Sequence, residues 1–419
     1  MSTHLAVIGL GYVGLPLVRE ACAAGLSVVG LDVDAGVVEA LAAGCSHVDD
    51  LSDADVKTML EAGLRVTTDP APLAASDVVV ICVPTPLSDE GGPDLTAVVA
   101  ATRTVAAHLH PGMLVVLEST TWPGTTEEVV RPILEETGLR AGTDFHLAFS
   151  PERIDPGNPV YGLRNTPKVV GGSTPACGDA AVAFYGLVVD TVVRARGTRE
   201  AEMAKLLENT YRHINIALVN EMAKFCHELS VDLWDVIACA SSKPFGFQAF
   251  RPGPGVGGHC IPIDPNYLSH RVRARLGYPF RFVELAQEIN AGMPDYVARR
   301  VQDLLNEQGK SLKGSTVLLL GVTYKADIAD QRESPARPLA VRLAAMGARV
   351  VFHDPHVTTW IVADEHVPRV DDLDEALRGA DVSVLLQTHA DYDVDHVATT
   401  ARLLFDTRGV VRADGVARL

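Results

Sequence analysis

The chain is short of positive charge: 36 lysines and arginines stand against 53 aspartates and glutamates, a formal net charge of −17, and no Lys/Arg-rich block interrupts the deficit. Without such a block there is no electrostatic footprint for nucleic acid or for an anionic membrane surface. No apolar run reaches the ~20 residues that span a bilayer. The opening MSTHLAVIGLG passes straight into a strand pattern, lacking the charged region, apolar stretch and cleavage site of a secretory signal. Cysteine is scarce. The seven residues, Cys22, Cys45, Cys82, Cys177, Cys226, Cys239 and Cys260, include no C-x-x-C pair, which argues against a zinc site or a disulfide framework and for reduced thiols in a cytoplasm. No metal is expected, any anionic ligand must meet local cations, and a functional thiol would act alone.

What is present suits a packed globular protein: 47% hydrophobic and 21% charged residues over 419 positions, too long a chain for one core to be the default. Short β-rich runs at Leu5–Ile8, Ser27–Leu31, Val78–Val83, Met113–Leu117, Phe145–Phe149 and Lys168–Val170 alternate with helical patterns, the rhythm of a doubly wound parallel sheet. Near Gly197 the texture changes. From Glu200 to about Leu229, Ala204, Leu207, Tyr211, Ile214, Leu218, Phe225 and Leu229 fall on or near one helical stripe. A Pro/Gly-dense loop from Lys243 to Pro265 precedes another helical pattern around Phe282–Leu305. After Lys313 the α/β rhythm returns, with strands at Thr316–Gly321, Arg349–His353 and Val382–Leu386 and a helix over Pro335–Met346. The expected fold is α/β: two Rossmann-like doubly wound domains (1–196 and 309–419) joined by a helical middle domain (197–308) with a long central helix.

Gly9-x-Gly11-x-x-Gly14 follows an apolar strand and opens a helix, the context that gives a glycine pattern meaning. Glycines let backbone approach a pyrophosphate, and the helix amino terminus supplies N–H groups and partial positive charge. Asp32 ends the second strand, where its carboxylate would accept from a ribose 2′-hydroxyl and repel a 2′-phosphate, so NAD is preferred to NADP. The alternative is a tight strand-to-helix turn with no ligand. Loops after later strands carry Cys82-Val83-Pro84-Thr85-Pro86, Glu118-Ser119-Thr120 and Ser150-Pro151-Glu152-Arg153, which in an open parallel sheet rim the same crevice.

Pro252 to Asp264 combines glycine freedom with one thiol, Cys260, and one carboxylate, Asp264, four residues apart. Glycines beside a thiol leave its sulfur accessible, as a nucleophile requires. Read on its own, Cys260 stands open between nucleophile and packed thiol. Cys226 and Cys239 look like buried helix thiols. His259 reads as a packing residue, and Asp264 reads equally as a helix cap before Pro265. Lys205 and Asn209, at i and i+4, project from one helix face; they are either solvated or a buried pair of donors able to stabilise an oxyanion.

With GLGYVGLP at 9–16, CVPTP at 82–86, EST at 118–120, SPER at 150–153, AEMAKLLENT at 201–210, GPGVGGHCIPIDP at 253–265 and GVTYKADIADQRESP at 321–335, the chain resembles the nucleotide-sugar 6-dehydrogenases of the UDP-glucose/GDP-mannose dehydrogenase family. The motifs span nearly the whole length in family order. The resemblance implies oxidation of a hydroxymethyl group on a nucleoside-diphosphate hexose to a carboxylate, with two NAD reduced per sugar. By that resemblance Cys260 is the nucleophile, Asp264 with an ordered water takes the hydroxyl proton, Lys205 and Asn209 hold the developing oxyanion, Glu152 is the base for hydrolysis and Thr120 places water. Cofactor contacts are implied at Gly9, Gly11, Tyr12, Val13, Gly14, Asp32, Val83, Pro84, Thr85, Ser119, Thr120 and Arg332. Substrate contacts are implied at Glu152, Arg153, Lys205, Asn209, Arg251, Gly255, Gly257, Lys325 and Arg332, with Lys243 a weaker candidate. The family's middle domain usually forms a homodimer.

Lys243-Pro244-Phe245-Gly246-Phe247, Pro252-Gly253-Pro254-Gly255 and SPERIDPGN at 150–158 resemble the branch that oxidises UDP-2-acetamido-hexoses such as UDP-N-acetylglucosamine or UDP-N-acetylmannosamine. UDP-glucose or a dTDP-hexose is the alternative substrate. A dehydrogenase making one hydride transfer would have no use for an accessible Cys260, and a non-catalytic NAD or nucleotide-sugar sensor could dispense with the set Lys205, Asn209, Cys260 and Asp264.

Overall fold

The computed structural model describes residues 3–48, 51–87, 92–155, 158, 160–258, 261, 263–413 and 415–419. It divides into two compact units, one of residues 1–208 with 266–278, the other of 209–265 with 279–419.

The first unit is built on β1 (His4–Ile8), β2 (Ser27–Leu31), β3 (Arg65–Thr67), β4 (Val78–Ile81), β5 (Leu114–Leu117), β6 (His146–Phe149), β7 (Lys168–Gly172) and β8 (Val192–Arg194), in the order β3-β2-β1-β4-β5-β6-β7-β8. The central strands VVVI and LVVL are buried at every position, as expected of parallel strands covered on both faces. Register places the site. Ile8 pairs with Leu31 and Ile81, Ile81 with Leu117, and Leu117 with Phe149, so the loops beginning at Gly9, Asp32, Cys82, Glu118 and Ser150 leave one edge of the sheet in a row.

The expectation of a wholly parallel sheet is corrected at β7, which runs antiparallel to β6 with Ala148 opposite Gly172. A parallel return needs a crossover of a dozen or more residues, usually a helix. Between β6 and β7 no helix occurs among the described residues, and the chain turns back beside the strand it has just left.

A helix of 31 residues, Thr198–Glu228, follows; the division between the units falls within it. Its stripe is largely uncovered, with Leu207 64%, Tyr211 47%, Leu218 54%, Phe225 46% and Leu229 68% exposed. Cys226 is buried as expected, whereas Cys239, read as a buried helix thiol, is exposed, because only part of its helix Leu233–Ser241 faces the core. The helical pattern around 282–305 breaks into Arg281–Ala291 and Met293–Glu307 at Gly292, where Pro294 suits the first turn of a new helix and could not continue an old one.

The second unit carries a further sheet from β9 (Thr316–Leu320), β10 (Arg349–His353), β13 (Val382–Leu385), β14 (Leu404–Asp406) and β15 (Ala417–Arg418), all parallel in the order β10-β9-β13-β14-β15, with a small β11 (Ile361–Val362) to β12 (Glu365–His366) hairpin. Among the described residues no helix is long and apolar enough to cross a membrane.

Candidate active site

In the first unit the chain leaves β1 through Gly9 at φ +91°, a left-handed conformation that glycine adopts at little cost. A Cβ on Gly9 would meet the Cys82 carbonyl oxygen at 2.7 Å, and one on Gly14 would meet the Gly9 carbonyl oxygen at 1.9 Å, whereas one on Gly11 would meet nothing within 4 Å. Gly9 and Gly14 are therefore packing glycines, and Gly11 borders open space at the amino end of the helix Gly14–Ala23. The Asp32 carboxylate accepts from Leu10 N–H at 2.9 Å and Asp34 N–H at 3.0 Å. Of about four lone-pair sites on a carboxylate, two are thus left for ribose hydroxyls. Open room at Gly11, first-turn N–H groups and a held acceptor at Asp32 fit a dinucleotide.

Tyr12 and Val13 are half-buried beside this turn. The loop Val83-Pro84-Thr85 is pinned on both sides: the Ser119 hydroxyl donates to Val83 O at 2.7 Å, and the Tyr267 hydroxyl donates to Thr85 O. Thr120 is half-buried. The segment after it is held by Glu202, whose carboxylate accepts from Gly124 N–H, Thr126 N–H and the Thr126 hydroxyl. Burial pushes Glu202 up to about 7 against the pull of those donors. The sequence reading missed it, because a lone acid near the start of a long helix ordinarily reads as a solvated charge.

Glu152 is buried, its Oε1 accepting from Arg153 and Ile154 N–H, both at 2.6 Å, and its Oε2 from the Lys168 ammonium at 3.2 Å. Arg153 turns its guanidinium to Glu208, at 3.1 and 2.6 Å, and to Pro167 O. Lys205 is buried, so the solvated-stripe reading does not hold for it.

In the second unit Asn209 is half-buried and donates from Nδ2 to Asp264 Oδ2 at 2.6 Å. Asp264 is buried and begins the helix Asp264–Leu276. Cys260 lies outside the described residues; the glycines before it are described. A Cβ on Gly257 would meet Glu333 O at 2.7 Å and Tyr324 Cβ at 2.8 Å, one on Gly255 would meet Pro335 Cβ at 2.9 Å, and Gly258 N–H donates to Glu333 O at 3.2 Å. The glycine loop is thereby pressed onto the segment that carries Lys325 and Arg332. Its other side rests on Asn220, which is fully buried, accepts from Gly253 N–H at 2.9 Å and donates to Asn290. Asn290 in turn donates to His213 O, and burial pushes the His213 imidazole down to about 4.

Lys325 is half-buried; Arg332 is exposed and grips Asp330 with Nε at 3.0 Å and Nη2 at 2.8 Å. Arg251 and Lys243 are exposed, the latter with its ammonium 5.3 Å from the centroid of the Phe245 ring. Sequence reasoning missed Arg408, which follows β14, donates from Nε to Leu386 O and sits 3.4 Å from where a Cβ on Gly253 would be. Burial pushes this guanidinium down to about 10. Its signal was a cation at the carboxyl end of a strand in a second α/β sheet, the edge where such sheets bind ligands. Asp327, His356 and His389 also converge. Here His389 Nδ1 accepts from Asp327 N–H at 2.9 Å and Nε2 faces Asp354 at 3.2 Å, so both ring nitrogens are engaged within the protein.

Three family models match consecutive parts of the chain: the NAD binding domain of the UDP-glucose/GDP-mannose dehydrogenase family over residues 3–189, its central domain over 199–292 and its UDP binding domain over 318–413. The NDP-N-acetyl-D-galactosaminuronic acid dehydrogenase of Ralstonia nicotianae is 34% identical over 99% of this chain and 97% of its own length. The UDP-N-acetyl-D-glucosamine 6-dehydrogenase of Pseudomonas aeruginosa is 35% identical over 86% and 84%. The solved structure of UDP-D-ManNAc dehydrogenase from Pyrococcus horikoshii superposes with a TM-score of 0.89 at 33% identity, covering 99% of this chain and 98% of that one.

Proposed function

Since this chain belongs to the UDP-glucose/GDP-mannose dehydrogenase family and is an NAD-dependent nucleotide-sugar dehydrogenase, we propose that it oxidises C6 of a UDP-2-acetamido-hexose by four electrons to the uronate. The observation that carries the reading is the 2.6 Å bond from Asn209 to Asp264: an amide donor and a carboxylate are joined at the end of the glycine loop that bears the thiol. The acetamido sugar is supported by the relatives, named for N-acetyl sugars at 34–35% identity.

Bound NAD supplies the hydride acceptor for both oxidations. Asp264, through an ordered water, takes the proton of the C6 hydroxyl as the aldehyde forms. The Cys260 thiolate then adds to the aldehyde carbon, giving a tetrahedral thiohemiacetal whose oxygen Lys205 and Asn209 hold; a bare aldehyde gives up hydride poorly, and the covalent step makes the second oxidation resemble the first. Loss of the second hydride leaves a thioester. Water placed by Thr120 attacks its carbon, Glu152 takes the water's proton, the C–S bond breaks and the Cys260 thiolate is released. Lys325, Arg332, Arg251 and Arg408 supply the cations that an otherwise acidic protein needs for a diphosphate.

A panel of UDP- and dTDP-hexoses, with and without the 2-acetamido group, assayed for NADH tests the proposal. The expected result is NADH from a UDP-2-acetamido-hexose at two per sugar consumed. Turnover of UDP-glucose or a dTDP-hexose in its place moves the substrate; one NADH per sugar ends the thioester route, and none from any sugar leaves a binding protein.

The uncovered stripe of the long helix supports a homodimer through the middle domain. Leu207, Tyr211, Leu218, Phe225 and Leu229 repeat at helical spacing on one face, and a two-fold axis across such a face makes it self-complementary. Light scattering should give twice the 44.6 kDa of the chain, with Leu218→Asp moving the mass toward the monomer. A monomeric parent protein would remove the dimer.

A further inference from the structure

Behind Glu152 lies a buried group of charges that the proposed mechanism does not use. Lys168, at the start of β7, is 3% exposed and bridges two carboxylates, Glu118 Oε2 at 3.0 Å and Glu152 Oε2 at 3.2 Å. Glu118 is fully buried and accepts on its other oxygen from the Tyr185 hydroxyl; the Lys168 ammonium also stands 5.5 Å from the centroid of the Tyr185 ring. The groups around Glu152 come from four elements: Glu118 after β5, Lys168 on β7, the Tyr185 phenol at the end of the helix Pro175–Tyr185, and the buried Cys82 thiol after β4. The neighbouring Arg153 guanidinium is turned away to Glu208.

One ammonium thus serves two buried carboxyl groups. A buried charge is tolerated only when paired and hydrogen-bonded, so the second carboxyl weighs on the first. The directions of titration agree. Burial pushes Glu118 up, Lys168 opposes that, and the like charge of Glu152 adds to it; for Lys168 burial works against the ammonium, yet the two carboxylates together hold its proton more firmly than usual.

We infer that Lys168 is the positioning residue of the hydrolytic step: it fixes one oxygen of Glu152 and, balanced against Glu118, sets the charge under which Glu152 receives the water's proton. The inference rests on Glu152 acting as the base. Lys168 touches neither sugar nor cofactor in this role. Its loss should leave both oxidations intact and slow release of the acyl group from Cys260.

The experiment compares Glu152→Gln, Lys168→Met, Lys168→Arg and Glu118→Gln by first-turnover NADH burst, steady-state kcat against pH, and intact mass after mixing with NAD and nucleotide-sugar. Glu152→Gln should trap the acyl-enzyme mass; if it turns over like the parent, Glu152 is not the base and that reading fails on its own. Given the trap, Lys168→Met should keep the burst and kcat/KM within about twofold while kcat falls by about tenfold or more, short of the roughly 10²–10⁴-fold that a general base itself contributes. Its acid limb should move up by about one pH unit, the scale of one neighbouring charge. Glu118→Gln should move that limb the opposite way, and Lys168→Arg should restore most of kcat. Loss of the burst with kcat, equal loss at every pH, or shifts of the same sign in the two variants would overturn the inference. Should Lys168→Met fail to fold, Glu118→Gln decides by itself, since an unmoved acid limb there removes the proposed balance.

Discussion

Cys260→Ser should bind NAD and nucleotide-sugar as the parent does and yet complete no steady-state turnover, with kcat lower by on the order of 10³ or more, as when other covalent nucleophiles are removed. A cysteine is a few per cent thiolate near neutrality and strongly nucleophilic, whereas a serine hydroxyl needs a dedicated base to attack a carbonyl. The carboxylate that the sequence sets beside it, Asp264, is joined to Asn209 and in the proposed mechanism serves the C6 hydroxyl. Without a tetrahedral adduct the second hydride has no good donor, so NADH should stop at or below one per site and product analysis should find sugar at the alcohol and aldehyde levels. Rapid quench and mass analysis of the sugar, alongside NADH counted per site, check this. Full activity in the serine variant, or uronate formed at two NADH per sugar, would sink the thioester mechanism while leaving the family assignment untouched.

Gly14→Ala should damage both stability and cofactor binding, and Gly11→Ala should damage binding alone. A methyl at Gly14 would stand 1.9 Å from the Gly9 carbonyl oxygen and 3.1 Å from Val7 Cγ1. The first belongs to the strand-to-helix turn and the second to β1 itself, so the helix Gly14–Ala23 must move off β1. Forcing a group into a packed interior costs about 1–3 kcal/mol, and the same displacement carries the first-turn N–H groups away from a pyrophosphate. We expect NAD affinity to fall by about a hundredfold or more, about 2.7 kcal/mol. At Gly11 the methyl meets no protein atom within 4 Å, so the melting temperature should hold while the methyl occupies the ligand's space. Thermal melts and NAD titrations of the two variants separate these effects. An unperturbed Gly14→Ala refutes the packing argument, and Gly11→Ala binding NAD like the parent refutes a pyrophosphate above Gly11.

The chain order of residue types was enough to place the first βαβ unit, the second α/β region and the long helix, because each rests on local rules. Ser27–Leu31 and Arg349–His353 have the same bounds in the sequence reading and in the structure. A glycine turn between an apolar strand and a helix has few other uses. Three matters were decided by tertiary structure alone. The direction of β7 is invisible in Lys-Val-Val-Gly-Gly, since a strand's composition is the same whichever way it runs. The helix stripe was legible as apolar, but whether it is covered depends on what packs on it, and in the single chain it stays exposed. Lys168 entered the sequence reading only as the first residue of a strand, and Arg408 not at all; a charge reads as buried only once its partners, for Lys168 the Glu118 and Glu152 carboxylates from two other strand ends, are brought to it by the sheet. The opening residues therefore determined the cofactor by themselves, through backbone geometry that sequence encodes locally. The setting of Glu152, joined to Glu118 and Lys168 from distant parts of the chain, was decided only by the fold.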